Sequence, residues 1–116
     1  MKNKYFDEIT KLLVRTHPKI ATLYQLEFKN VFGAVGGYVD GHIFISCGEF
    51  GVALRLPPET LSILFQEKDV KHLKYFPIGH TKKEYAVIPK RVLENNREFR
   101  KLLDKGIKYV FVPSRV

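Results

Sequence analysis

One stretch limits what this chain can become. Residues 31–56, VFGAVGGYVDGHIFISCGEFGVALRL, set two turn signals between three runs of strand-forming residues. Asp40-Gly41 is the stronger signal. Such a pair tolerates the positive φ angles of a type I′ turn and predicts a two-residue hairpin between apolar flanks. Gly48-Glu49-Phe50-Gly51 predicts a second turn. The strands so bounded cover about 42–47 and 52–56, and loops this short make consecutive strands antiparallel neighbours. Upstream, Tyr24, Leu26 and Phe28 alternate with Gln25, Glu27 and Lys29, the period of a half-buried strand. Val31-Phe32 extends that strand toward Tyr38-Val39, and Gly33, Gly36 and Gly37 inside it predict a bulge or a close backbone approach. These glycines do not make a nucleotide loop. GAVGG lacks a following Lys-Ser/Thr, is not G-x-G-x-x-G, and leads into strand rather than helix.

Helical spacing governs the flanks. Phe6, Ile9, Leu12 and Leu13 predict a helix over 4–15, with Asp7 and Glu8 near its N-terminus and Lys11 and Arg15 later. Pro18 ends it by biasing His17 away from the α region. Pro57-Pro58 opens a second helix with Leu61, Leu64 and Phe65 on its apolar face. A fourth strand is expected near Leu73, Tyr75 and Phe76, a loop over 77–81, and a fifth strand over 84–88. Pro89 opens a last helical region. Its apolar face is Val92-Leu93 and then Phe99, Leu102 and Leu103, with Asn95-Asn96 a break between two helices and Gly106 a candidate cap. Residues 107–112 are apolar enough to dock as helix or as extended chain, and 112–116 are expected to be a loose end. The order α-β-β-β-α-β-β-α predicts an α+β fold: two layers, one five-stranded antiparallel sheet with helices on one face, and a single domain over 1–116.

Several kinds of chemistry are poorly served by this sequence. Cys47 is the only cysteine, which leaves no intrachain disulfide or cysteine-based zinc site and suits a buried reduced thiol. His17, His42, His72 and His80 show no close metal-ligand spacing, and His17 and His80, beside turn signals, are expected to be solvated loop residues. Asp40 and His42 are the nearest thing to an acid–base pair, with no evident nucleophile. No apolar run approaches the roughly 20 residues of a bilayer span, and the N-terminus lacks a signal-peptide core, so a cytoplasmic protein is expected. No catalytic residue, cofactor or metal is expected.

Charge is the informative property. The net charge of +8 is uneven: residues 1–56 carry seven Lys/Arg against five Asp/Glu, and residues 57–116 carry thirteen against seven. A basic half suits a polyanion or an acidic protein. Lys82, Lys83, Lys90 and Arg91 flank the fifth strand. On the last helix Arg97, Lys101, Lys105 and Lys108 fall on nearly one face, opposite Phe99, Leu102 and Leu103, with Glu98 and Asp104 interspersed. Such a face can follow phosphates. Tyr75, Phe76 and Tyr85 are aromatic enough to stack on bases, but aromatic residues in short strands are better read as packing.

Three motifs, in order and spacing, resemble the TfoX/Sxy N-terminal domain family. Phe32-Gly33-Ala34 through Gly37 is similar to the family's M-F-G-G-x-G opening, with Val31 in place of the methionine and Ala34 in place of the second glycine. Tyr38-Val39-Asp40-Gly41 with Phe44 is similar to its aromatic-x-D-G-x-x-F hairpin. Lys83-Glu84-Tyr85 with Pro89 is similar to its M-K-E-Y/W-x-x-x-P strand and exit, with Lys82 where methionine is common. The resemblance covers about residues 4–108. It implies a fold grouped with secretion-chaperone-like and YjbR-like domains, no enzymatic activity, and a role in binding a partner. Long family members carry a second, helical C-terminal domain and act as competence regulators; these 116 residues are expected not to include that domain. The resulting expectation is a non-catalytic regulatory protein that binds another protein, with direct nucleic-acid binding as the alternative and an unrecognised small-molecule enzyme behind both. No membrane partner is expected, and dimerisation through the sheet is a further expectation.

Overall fold

The computed structural model describes residues 3–74 and 82–111. Its elements are α1 (Lys4–Thr16), α2 (Ile20–Leu23), β1 (Leu26–Val31), β2 (Ala34–Val39), β3 (His42–Gly48), β4 (Gly51–Arg55), α3 (Pro58–Leu64), β5 (Lys71–Leu73), β6 (Lys82–Ile88), α4 (Lys90–Leu93) and α5 (Asn96–Val110). All the strands join one antiparallel sheet in the order β1-β2-β3-β4-β6-β5. The α+β architecture matches expectation, but among the described residues the sheet has six strands rather than five.

The extra strand comes from a turn the sequence conceals. The run expected as one strand folds back at Phe32-Gly33, with φ of 51° and 83°, and Val31 pairs with Ala34. Gly33 is therefore a turn residue, not part of a bulge. The Asp40-Gly41 hairpin forms as expected, with φ of 48° and 85°. Asp40 adds a clasp: its Oδ1 accepts from the Gln25 backbone N–H at 2.8 Å, while its own N–H donates to the Gln25 carbonyl at 2.9 Å. Glu49-Phe50 closes the third hairpin between Gly48 and Gly51.

A bulge does occur nearby. Gly37 pairs with Ile45 and Tyr38 with Ile43, so the register steps past Phe44. Phe44 and Ile45 are both fully buried. A Cβ on Gly37 would lie 2.6 Å from the Ile45 side chain and 3.5 Å from the Phe44 ring. The glycine thus leaves room for two large neighbours that the extra residue brings together.

The core lies on one face of this sheet. Val35, Cys47, Val52 and Ile88 follow one another across the strands, and Ile45, Leu54 and Ala86 make the next row. Ile9, Leu12 and Leu13 of α1 and Phe99, Leu103, Ile107 and Val110 of α5 join the same cluster, with Leu61 and Val92 from α3 and α4. α1 is capped by the Asn3 side chain accepting from the Tyr5 N–H at 2.8 Å, and α5 by Asn95 accepting from the Glu98 N–H at 3.1 Å. Gly106 was expected to cap α5 but instead lies within it. A Cβ there would meet the Arg55 carbonyl oxygen at 2.7 Å, so α5 rests on the backbone of the sheet. Residues 107–110 dock as helix. Tyr75, Phe76, the loop over 77–81 with His80, and the end at 112–116 lie outside the described residues.

Candidate basic interface on the last helix

α5 is amphipathic because its apolar and basic residues each repeat at helical spacing. Phe99, Leu103, Gly106, Ile107 and Val110 are buried, and Arg97, Lys101, Lys105 and Lys108 are exposed on the opposite side. At 1.5 Å per residue the four cations span about 16 Å. None of them is in an ion pair among the described residues. Asp104 points to the same side, but Arg100 holds its carboxylate at 2.9 and 3.1 Å.

The other basic candidates divide differently. Arg91 donates to both oxygens of Asp69 at 2.7 and 3.0 Å and lies 3.6 Å from Glu67, which pulls the Asp69 carboxyl below its usual range. Lys90 lies 4.0 Å from Glu94. These two are spent largely on their own neighbourhood. Lys82 and Lys83 are exposed at the start of β6. The next residue, Glu84, ties that end of the sheet to α5: it accepts from Arg55 Nε at 2.7 Å and from the Tyr109 hydroxyl at 3.3 Å. The structure thus gathers Arg97, Lys101, Lys105 and Lys108 into one row and fastens the helix that carries them beside Lys82 and Lys83.

The motif residues have structural placements. Phe32, Gly33, Asp40 and Gly41 make turns, Gly37 and Phe44 make the bulge, Glu84 is the tie to α5, and Pro89 precedes α4. Tyr85 pairs across the sheet with Arg55.

Sequence reasoning missed Arg100 and His17. Arg100 Nη1 donates to the Thr16 carbonyl at 3.2 Å, joining the end of α1 to α5. His17 is not a solvated loop residue. It is 3% exposed, its Nε2 lies 3.9 Å from Asp104, and its Nδ1 has no hydrogen-bond partner among the described residues. Burial lowers its pKa, Arg100 lowers it further, and Asp104 opposes both. Only the i,i+4 pairing of Arg100 with Asp104 hinted at this junction from sequence.

Nucleophilic chemistry finds little support in the geometry. Cys47 is fully buried and its pKa is pushed up to about 12, first by burial and then by the Glu8 carboxylate 3.6 Å away. Asp40 is occupied as a turn clasp, and His42 packs edge-on against Phe111 at 5.5 Å. Among the described residues no group of His, Cys, Asp or Glu is arranged to hold a metal, and no helix is long and apolar enough to cross a membrane. A groove of about 410 Å³ lies between Asn3, Phe6 and Asp7 on the α1 side and Phe28, Lys29 and Asn30 of β1.

Neither a scan against protein-family models nor a search of curated proteins finds a match for this sequence.

Proposed function

We propose that this chain is a TfoX N-terminal-like binding module that works without catalysis, presenting α5 to an acidic surface on another protein. The observation that carries this reading is the row Arg97, Lys101, Lys105 and Lys108. These are four exposed cations with no acidic partner among the described residues, on a helix whose other cation, Arg100, is paired. Aligned positive charge raises the local concentration of an acidic partner and speeds encounter. The three sequence motifs support the family assignment. By that likeness the role is regulatory, of the competence co-regulator type, in the cytoplasm.

Affinity capture from native cell extract, with and without nuclease, tests this. An acidic protein retained after nuclease treatment supports the reading. Its retention should fall at least tenfold with Arg97→Glu, Lys101→Glu and Lys105→Glu combined, because reversal turns attraction into repulsion on exposed side chains. Retention unchanged by the triple variant would sink it.

A second reading, direct nucleic-acid binding, draws on the length of the same row, since about 16 Å of aligned charge can follow a phosphate backbone. It predicts that retained material disappears with nuclease, and that purified protein binds DNA or RNA with an affinity falling steeply as salt rises. No retention even at low salt excludes it.

A further inference from the structure

We propose that the outer edge of β1 docks a second copy of this chain, antiparallel and centred on Phe28, so that Glu27 of each copy faces Lys29 of the other. β1 ends the sheet, and among the described residues nothing pairs with its outer side. The two-residue turn at Phe32-Gly33 determines which backbone groups point there. A hairpin of this kind closes on a hydrogen-bonded pair, here Val31 with Ala34, so Lys29 with Gly36 and Glu27 with Tyr38 are hydrogen-bonded pairs as well. The Asp40 N–H donating to the Gln25 carbonyl continues the same alternation. The N–H and C=O groups of Leu26, Phe28 and Asn30 therefore point off the sheet.

A second β1 must meet those groups with its own outward ones. Three antiparallel registers engage at least two of the three residues, and they are centred on residues 27, 28 and 29. Centring on Glu27 sets that carboxylate against itself, and centring on Lys29 does the same with two ammonium groups. Centring on Phe28 pairs Glu27 with Lys29 twice, at the non-hydrogen-bonded positions where opposed side chains come closest. It also makes Phe28 with Phe28 and Leu26 with Asn30 the hydrogen-bonded pairs, all three outward residues being used. The strand is thus complementary to itself in one register and repelled by itself in the two adjacent ones.

The apolar surface agrees. Phe6 is 43% exposed and meets Phe28 edge-to-face at 5.3 Å, beside the groove of about 410 Å³ along this edge. The twofold arrangement brings a second Phe6–Phe28 pair to that place, covering aromatic surface that water otherwise wets. This inference stands independently of the role assigned to α5.

Sedimentation equilibrium on the full chain tests it. The wild type is expected at twice the 13.5 kDa chain mass. Glu27→Lys and Lys29→Glu each create two like-charge pairs and should raise the dimer dissociation constant about tenfold or more. Combining them swaps the charges and should restore wild-type association. Asn30→Pro removes an outward donor without touching the β1–β2 ladder, and should also weaken the dimer with the helical and strand circular dichroism unchanged. A monomer at every concentration overturns the proposal, including one that instead takes up an extended peptide from another protein. So does a dimer indifferent to the single changes, or a double variant that stays monomeric.

Discussion

His17 is the residue whose chemistry is most exposed to measurement, although its side chain is hidden from water. Burial and the neighbouring Arg100 lower its pKa from 6.5, so the unfolded chain takes up a proton more readily than the folded one. The contribution of His17 to folding stability is therefore fully present above about pH 6.5 and is lost as pH falls toward the folded value. Urea unfolding at pH 7.5 and 5.5 should show a larger drop for the wild type than for His17→Gln, which cannot titrate; equal drops would refute the assignment. Cys47 gives a second residue-level expectation. With its thiol buried and held protonated well above neutral pH, it should react with a disulfide reagent only as fast as the chain opens. Labelling as fast as a free thiol would contradict the burial described here.

At the scale of elements, Gly106 decides how α5 sits. An alanine there would gain up to about 1 kcal/mol of helix propensity, yet its methyl would press on the Arg55 carbonyl at 2.7 Å. The clash should win, since overpacking against backbone costs about 1–3 kcal/mol, and the urea midpoint of Gly106→Ala should fall. Asn95→Ala, which removes the cap of the same helix, should cost about 1 kcal/mol by the same measurement. Most elements were legible in the sequence because their signals are local: Asp40-Gly41 for its hairpin, Asn95-Asn96 for the break, Phe99 and Leu103 for the buried face of α5. The turn at Phe32-Gly33 was not, because an aromatic residue at φ 51° goes against the usual preference and Val-Phe-Gly-Ala reads as continuous strand. Gly106 was misread for a related reason. A glycine near a helix end suggests a cap, and only the packing reveals the carbonyl beneath it. The cation row was visible from spacing alone, but the withdrawal of Arg91 into its pair with Asp69 depends on a contact that spacing does not show.

Among the described residues one core cluster forms, and both halves of the chain build it. β4 pairs with β6 across residues far apart in sequence, and α1 and α5 share the same cluster. Unfolding should therefore be a single cooperative step, with calorimetric and van't Hoff enthalpies equal and a heat-capacity change of about 1.4–1.7 kcal/mol/K for a chain of this length. Two resolved transitions would contradict a shared core. The contact of Gly106 with the β4 backbone has a consequence at this scale too. A helix resting on main chain, and tied by Glu84, keeps one angle and one height, so its cations stand at fixed intervals before anything binds. Under the proposed function the row acts as a ruler, and an acidic partner must match its spacing. A synthetic peptide of residues 96–110 would carry the same charges but fray to coil in water, having to pay for its own ordering on binding.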